Sequence, residues 1–180
     1  GEEYATSGNN GILDIVEGLK WVKTNIAQFG GDPDNVMICG ESGGGYKTSI
    51  LYGMPAAAPY FNKASIESGP GVRVNSLETA AMVAELTLKE LGIAKNDWRK
   101  LFEVPAEQLF TLQGQMNNFL QGKALKKGER FGFAPVVDQV SILAHPFVPA
   151  APALSKEKPV MVGWNADEYI FFLMTGGNLE

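Results

Sequence analysis

One short passage constrains this chain more than any other. Val36-Met37-Ile38-Cys39 is a continuous apolar run, Gly40-Glu41-Ser42-Gly43-Gly44-Gly45 follows it, and helix-like sequence continues to about Leu51. The apolar run suits a strand buried on both faces, as in a parallel sheet. Glycines on either side of Ser42 let strand and helix approach without Cβ clashes. A Gly-x-Ser-x-Gly match in a strand–turn–helix context is the signature of a nucleophile elbow. Such a turn holds the serine in strained backbone geometry with its Oγ exposed. The amide of Gly43 then points at the developing oxyanion, and the helix N-terminus adds partial positive charge.

The rest of the chain reads as helices alternating with short buried strands, which points to α/β. Ile12, Ile15, Val16, Leu19, Val22 and Ile26 recur at helical spacing, predicting a helix over 11–28 that Gly30-Gly31 stops. Ala64–Glu67 reads as a second strand, closed by Ser68-Gly69-Pro70. Asn75 with Glu78 is expected to form a capping box opening a helix over 76–91. A further helix starts at Pro105. Phe131–Val137 is apolar and of open type, Ala144–Ala153 is an extended loop, Val160–Val162 is a strand, and 166–174 reads as a helix.

With 180 residues the chain is about one domain long, enough to bury a real core. Its net charge of −5 argues against a nucleic-acid partner, which normally meets a basic patch. No run of 18 apolar residues marks a membrane span. One cysteine, Cys39, excludes an intrachain disulfide, and one Cys with one His excludes a Cys₄ or Cys₂His₂ zinc site. No metal and no cofactor are expected.

A serine nucleophile needs a base and an orienting acid. Glu168, just after the Val160–Val162 strand, is the acid candidate, with Asp167 as its competitor; functional groups in open α/β sheets gather beyond the carboxyl ends of strands. The single histidine, His145, precedes both in a Pro-rich loop. The order Ser, acid, His is therefore not met, and His145 reads as structural. A rival reading takes Gly40–Thr48 as a P-loop. Tyr46 intervenes between Gly45 and Lys47, turning the lysine by about 100° around a helix and away from a bound phosphate.

Beyond the elbow, Ser7-Gly8-Asn9-Asn10-Gly11, Trp21-Val22 through Asn25-Ile26, Phe29-Gly30-Gly31-Asp32-Pro33, Ile66-Glu67-Ser68-Gly69, Phe133-Ala134-Pro135-Val136-Val137-Asp138 and Gly163 with Asp167-Glu168 together resemble the motifs of the type-B carboxylesterase family, from Gly1 to about Phe172. The resemblance implies the α/β-hydrolase fold, with these 180 residues the incomplete central part of a mostly parallel sheet and its flanking helices. It implies a carboxylic ester hydrolase in which Ser42 is the nucleophile, Glu168 the acid, Gly43 one oxyanion donor, and Glu41 and Ser68 supporting neighbours. Position 43 is Gly where the family more often has Ala; the donor is backbone, so the change should leave the oxyanion hole intact. The family's Gly-rich oxyanion loop and triad His are expected outside Gly1–Glu180. The partners are then a small-molecule ester and the remainder of the same polypeptide, and the isolated segment should be inactive.

Cys39 is expected to be a buried strand residue. Residues between Val72 and Lys127 form either part of a helical cap, with walls from Trp98, Phe102, Phe110 and Phe119, or ordinary core. A non-catalytic binding relative is the other alternative; such relatives usually lack the serine.

Overall fold

The computed structural model describes residues 2–119, 128–130, 132–168 and 170–174. Helix α1 (Asn10–Asn25) ends in a 3₁₀ turn, Ile26–Phe29, closed by Gly30 at φ 81°. Strand β1 (Met37–Glu41) leads to helix α2 (Gly43–Tyr52), and strand β2 (Lys63–Glu67) follows. Helices α3 (Leu77–Glu90) and α4 (Ala106–Phe119) come next. Strand β3 (Val160–Gly163) and the short helix α5 (Ile170–Met174) complete the described chain.

The three strands form one parallel sheet in the order β1-β2-β3. Glu41 pairs with Glu67 at the carboxyl end of the first ladder, and Glu67 with Gly163 at the end of the second. Helix α2 packs on β1 and β2. It is buried nearly all round, through Tyr46, Ile50, Leu51 and Tyr52, so its sequence lacks the one-sided stripe of a surface helix. Beyond the first turn, Lys47 is the exception and is exposed.

The chain divides into two compact units. One contains residues 14–72 and 146–180, and holds the sheet with α2. Its core is built on Ile38, Ile50, Met54, Phe61, Ala64 and Ile66. The other contains residues 1–13 and 73–145. In it, α3 and α4 close over Val83, Leu112 and Met116. Two buried asparagines stitch this unit together. Asn9 donates from Nδ2 to the Val136 carbonyl (2.8 Å) and accepts the Val136 amide (2.9 Å). Asn75 does the same with Arg130, at 2.8 Å in both directions. Each side-chain amide thus exchanges both bonds with a backbone residue, as a strand neighbour would.

Three expectations are corrected. Cys39 is exposed, because only Ile38 of β1 is buried: the strand lies at the edge of the described sheet, and its run of apolar residues is not covered on both faces. The cap of α3 is Ser76, whose Oγ accepts the Thr79 amide (3.3 Å). Asn75 is committed instead to Arg130, and the carboxylate near the helix start comes from Glu129, which accepts the Ser76 amide at 2.9 Å. Phe102 and Phe110 are 70% and 76% exposed, so neither is core. Trp98 is half-buried against Tyr4 and Phe102. The side chain of Phe119, and Phe131 altogether, lie outside the described residues.

Candidate active site

β1 ends at Glu41 and α2 begins at Gly43, so the whole turn is Ser42. A chain reversing through one residue must leave the usual regions of backbone space. Ser42 does so at φ 53°, ψ −114°, a conformation that costs a non-glycine residue about 1–3 kcal/mol. Two backbone bonds hold it: the Ser42 amide donates to the Glu67 carbonyl (2.9 Å), and its carbonyl accepts the Tyr46 amide (3.0 Å) as the first bond of α2. A serine at a helix start normally turns its hydroxyl back to cap the helix. Here the side chain makes no capping bond, and the residue is exposed. Gly43 is likewise exposed, and its amide belongs to the first turn, whose N–H groups have no intrahelical acceptor.

The one-residue turn also bears on nucleotide binding. A phosphate loop needs several residues between strand and helix to wrap an anion. None stands between Glu41 and Gly43 except Ser42, and Lys47 lies in the second turn of α2, facing solvent.

Close packing explains which glycines the turn requires. An added Cβ on Gly40 would lie 2.3 Å from the Gly44 carbonyl carbon, and one on Gly45 would lie 2.9 Å from the Glu67 carbonyl oxygen. Around Gly43 and Gly44 a Cβ meets nothing within 4 Å. The close approach of strand and helix therefore requires glycine at 40 and 45, and leaves room for a side chain at 44. Gly69, to which the sequence assigns no such role, presses on Ser42 itself. Its signal was available: Gly69 follows a Glu-Ser pair, as Gly43 does, one strand over.

That repetition is structural. Because Glu41 pairs with Glu67, Ser42 and Ser68 leave adjacent strands at the same level, at φ 53° and 50°. Ser68 is anchored by its amide to the Gly163 carbonyl (2.8 Å), and its Oγ donates to Oε2 of Glu168 (3.0 Å). The same carboxylate oxygen accepts the Asn165 amide (2.8 Å). Glu168 is thus half-buried with one oxygen held, while Asp167 is exposed. Glu41, at the end of β1, is exposed as well. The loop after Ser68 is pinned to α2 through Ser49, whose Oγ donates to the Gly45 carbonyl (2.9 Å) and accepts the Gly71 amide (3.0 Å).

His145 belongs to the other compact unit. Its Nδ1 accepts the Val74 amide at 3.4 Å within that unit, in keeping with a structural role.

A serine turn thus stands at the head of one parallel strand, with a held carboxylate beyond the third. Residues 2–178 match the family model described as the carboxylesterase family. The chain belongs to that family. This carboxylesterase-family chain is 38% identical over 171 residues to the para-nitrobenzyl esterase of Bacillus subtilis (strain 168), covering 93% of itself and 34% of that protein. It is 34% identical over 170 residues to the human cocaine esterase, covering 94% of itself and 28% of the relative. Among solved structures, a Geobacillus stearothermophilus carboxylesterase at pH 6.2 superposes with a TM-score of 0.80 at 38% identity, over 97% of this chain and 34% of that one. The fold is that of the α/β-hydrolases, and the chain spans about a third of the length of the relatives it matches.

Proposed function

We propose that the protein carrying this chain hydrolyses carboxylic esters through an acyl-enzyme on Ser42. The observation that carries the reading is Ser42 itself: exposed, at φ 53°, and without the capping bond a serine at a helix start would ordinarily make. Such a hydroxyl is held ready at the cost of local strain, and nothing in the helix competes for it.

Ser42 Oγ attacks the ester carbonyl carbon while a histidine base takes its proton. That histidine belongs to polypeptide beyond these 180 residues. The carbonyl oxygen becomes an oxyanion facing the Gly43 amide, where the N-terminus of α2 adds positive potential. Collapse of the intermediate expels the alcohol, which receives the proton. Water, activated by the same base, then releases the acid and regenerates Ser42. Glu168 orients the histidine and stabilises its protonated form, and Ser68 and the Asn165 amide hold Glu168 by one oxygen, leaving the other to receive the imidazole. Glu41, immediately before the nucleophile, is a supporting neighbour of the site. The substrate is a small-molecule ester, the class named for the para-nitrobenzyl and cocaine esterases.

In the complete enzyme, Ser42→Ala should abolish turnover of an activated ester, and an organophosphate should label Ser42 stoichiometrically. Labelling at another residue, or turnover by the variant, overturns the assignment. The isolated 180-residue segment should show no sustained turnover, because removing even one oxyanion donor typically costs roughly 3–4 kcal/mol.

A further inference from the structure

Helix α2 carries Ser42 at one end and a second anchor at the other. Tyr52, its last residue, is 2% exposed, and its phenol oxygen lies 2.7 Å from both the Ser155 and the Lys158 carbonyl oxygens. The two carbonyls share one proton, and burial keeps the Tyr52 phenol above the usual tyrosine range, so it stays a donor. The turn they belong to is closed by the Lys158 amide on the Ser155 carbonyl (2.9 Å). Lys158 then reaches back: its Nζ donates to the Phe61 carbonyl (2.6 Å) and lies 4.7 Å from the centre of the Phe61 ring. Tyr52 stacks on Phe147 at 5.7 Å, so its ring is held independently of its hydroxyl.

This turn leads directly into β3. The Pro159 carbonyl accepts the Ala64 amide (3.0 Å), β3 runs beside β2, and Gly163 accepts the Ser68 amide at the far end. Glu168 follows five residues later. From Ser42 to Tyr52 the helix rises about 15 Å. From Lys158 to Gly163 the strand advances about 16 Å in the opposite direction. One rigid helix therefore fixes the nucleophile at the upper end of the sheet and the start of the acid-bearing strand at the lower end.

We propose that Tyr52, assisted by Lys158, is a positioning residue for the ester hydrolysis: it sets the register of β3 against α2 and hence the placement of Glu168 relative to Ser42. This rests on the serine-esterase reading above.

The test uses the complete enzyme, with Tyr52→Phe, Lys158→Met and Ser42→Ala made in parallel. Active sites are counted by stoichiometric organophosphate labelling, and kcat is expressed per labelled site, so that loss of folded protein does not count. Tyr52→Phe keeps the ring and removes only the hydroxyl that donates to the two carbonyls. Its kcat per site should fall several-fold with KM unchanged, short of the roughly 100-fold that a 1 Å misplacement of reacting groups can cost. Lys158→Met should move kcat in the same direction. An unchanged kcat per site in a folded, fully labelled Tyr52→Phe enzyme overturns the proposal. If that variant does not fold, Lys158→Met decides in its place, a fall in kcat per site supporting the proposal and no change overturning it. Turnover by Ser42→Ala instead removes the esterase reading, and the proposal with it.

Discussion

Gly69 lies against the backbone of Ser42: a Cβ at position 69 would sit 2.2 Å from the Ser42 carbonyl oxygen and 2.8 Å from its Cα. The obstacle is main chain on both sides, fixed by the β1–β2 ladder, so it cannot yield as a flexible side chain would.

Gly69→Ala should therefore destabilise the protein by at least about 2 kcal/mol and lower kcat, because relief requires moving either the elbow or the strand end. Gly40→Ala should behave alike, with its Cβ 2.3 Å from the Gly44 carbonyl carbon. Gly43→Ala is the opposite case. Open space surrounds that position, and helix propensity should give an unchanged or slightly higher stability, by up to about 1 kcal/mol, with kcat retained. Urea titrations and kcat measurements on the three variants separate these outcomes. A Gly43→Ala enzyme as crippled as Gly69→Ala would refute the packing argument.

Ser68→Ala removes the hydroxyl donor to Glu168 and leaves the Asn165 amide in place. A hydrogen bond to a charged group is worth about 1.5–3 kcal/mol, so kcat should drop by roughly 10- to 100-fold if Glu168 must be oriented for turnover. KM should stay near the parent value. A rise in KM with kcat unchanged would place Ser68 in substrate binding instead.

Asp138 gives the other unit a pH dependence. Burial alone would raise its pKa, but the Ser141 hydroxyl, the Ile142 and Val140 amides and the Asn9 side chain outweigh it and hold the carboxyl at about 2. Because the folded value lies below the unfolded one, the stabilisation is complete above about pH 4 and disappears as pH falls towards 2. Allowing for solvent screening, it amounts to about 1–2 kcal/mol. Urea midpoints between pH 5 and pH 2 should fall more steeply in the parent protein than in Asp138→Asn; parallel curves would rule this out.

Asn9→Ala should be among the costliest polar substitutions, at about 3 kcal/mol or more. It strands the Val136 amide and carbonyl, both bonded to a residue that is 1% exposed, and withdraws a donor from Asp138. Chemical denaturation measures the loss directly, and a cost below 1 kcal/mol would show that water replaces the amide there.

Much of this was legible in the chain because the signals were local. The elbow announced itself through Gly40, Ser42 and the apolar run before them, and helix α1 through its 3.6-residue period and the Gly30 stop. What escaped was set by distant partners. Asn75 looks like a helix cap until Arg130 claims its side chain from 55 positions away. Cys39 sits in an apolar run, yet burial depends on what covers a strand, which the strand does not encode. The role of Ser68 rested on family motifs; its bond to Glu168 spans 100 positions, and no spacing rule predicts such a contact.

The single-residue junction between β1 and α2 limits how the position of Ser42 can diversify. With no slack between sheet and helix, the hydroxyl cannot be re-aimed by lengthening or reshaping its own loop. On the ester-hydrolase reading proposed above, preference for one ester over another is then written into the walls around a stationary Ser42, which leaves the chemistry constant while the choice of substrate drifts.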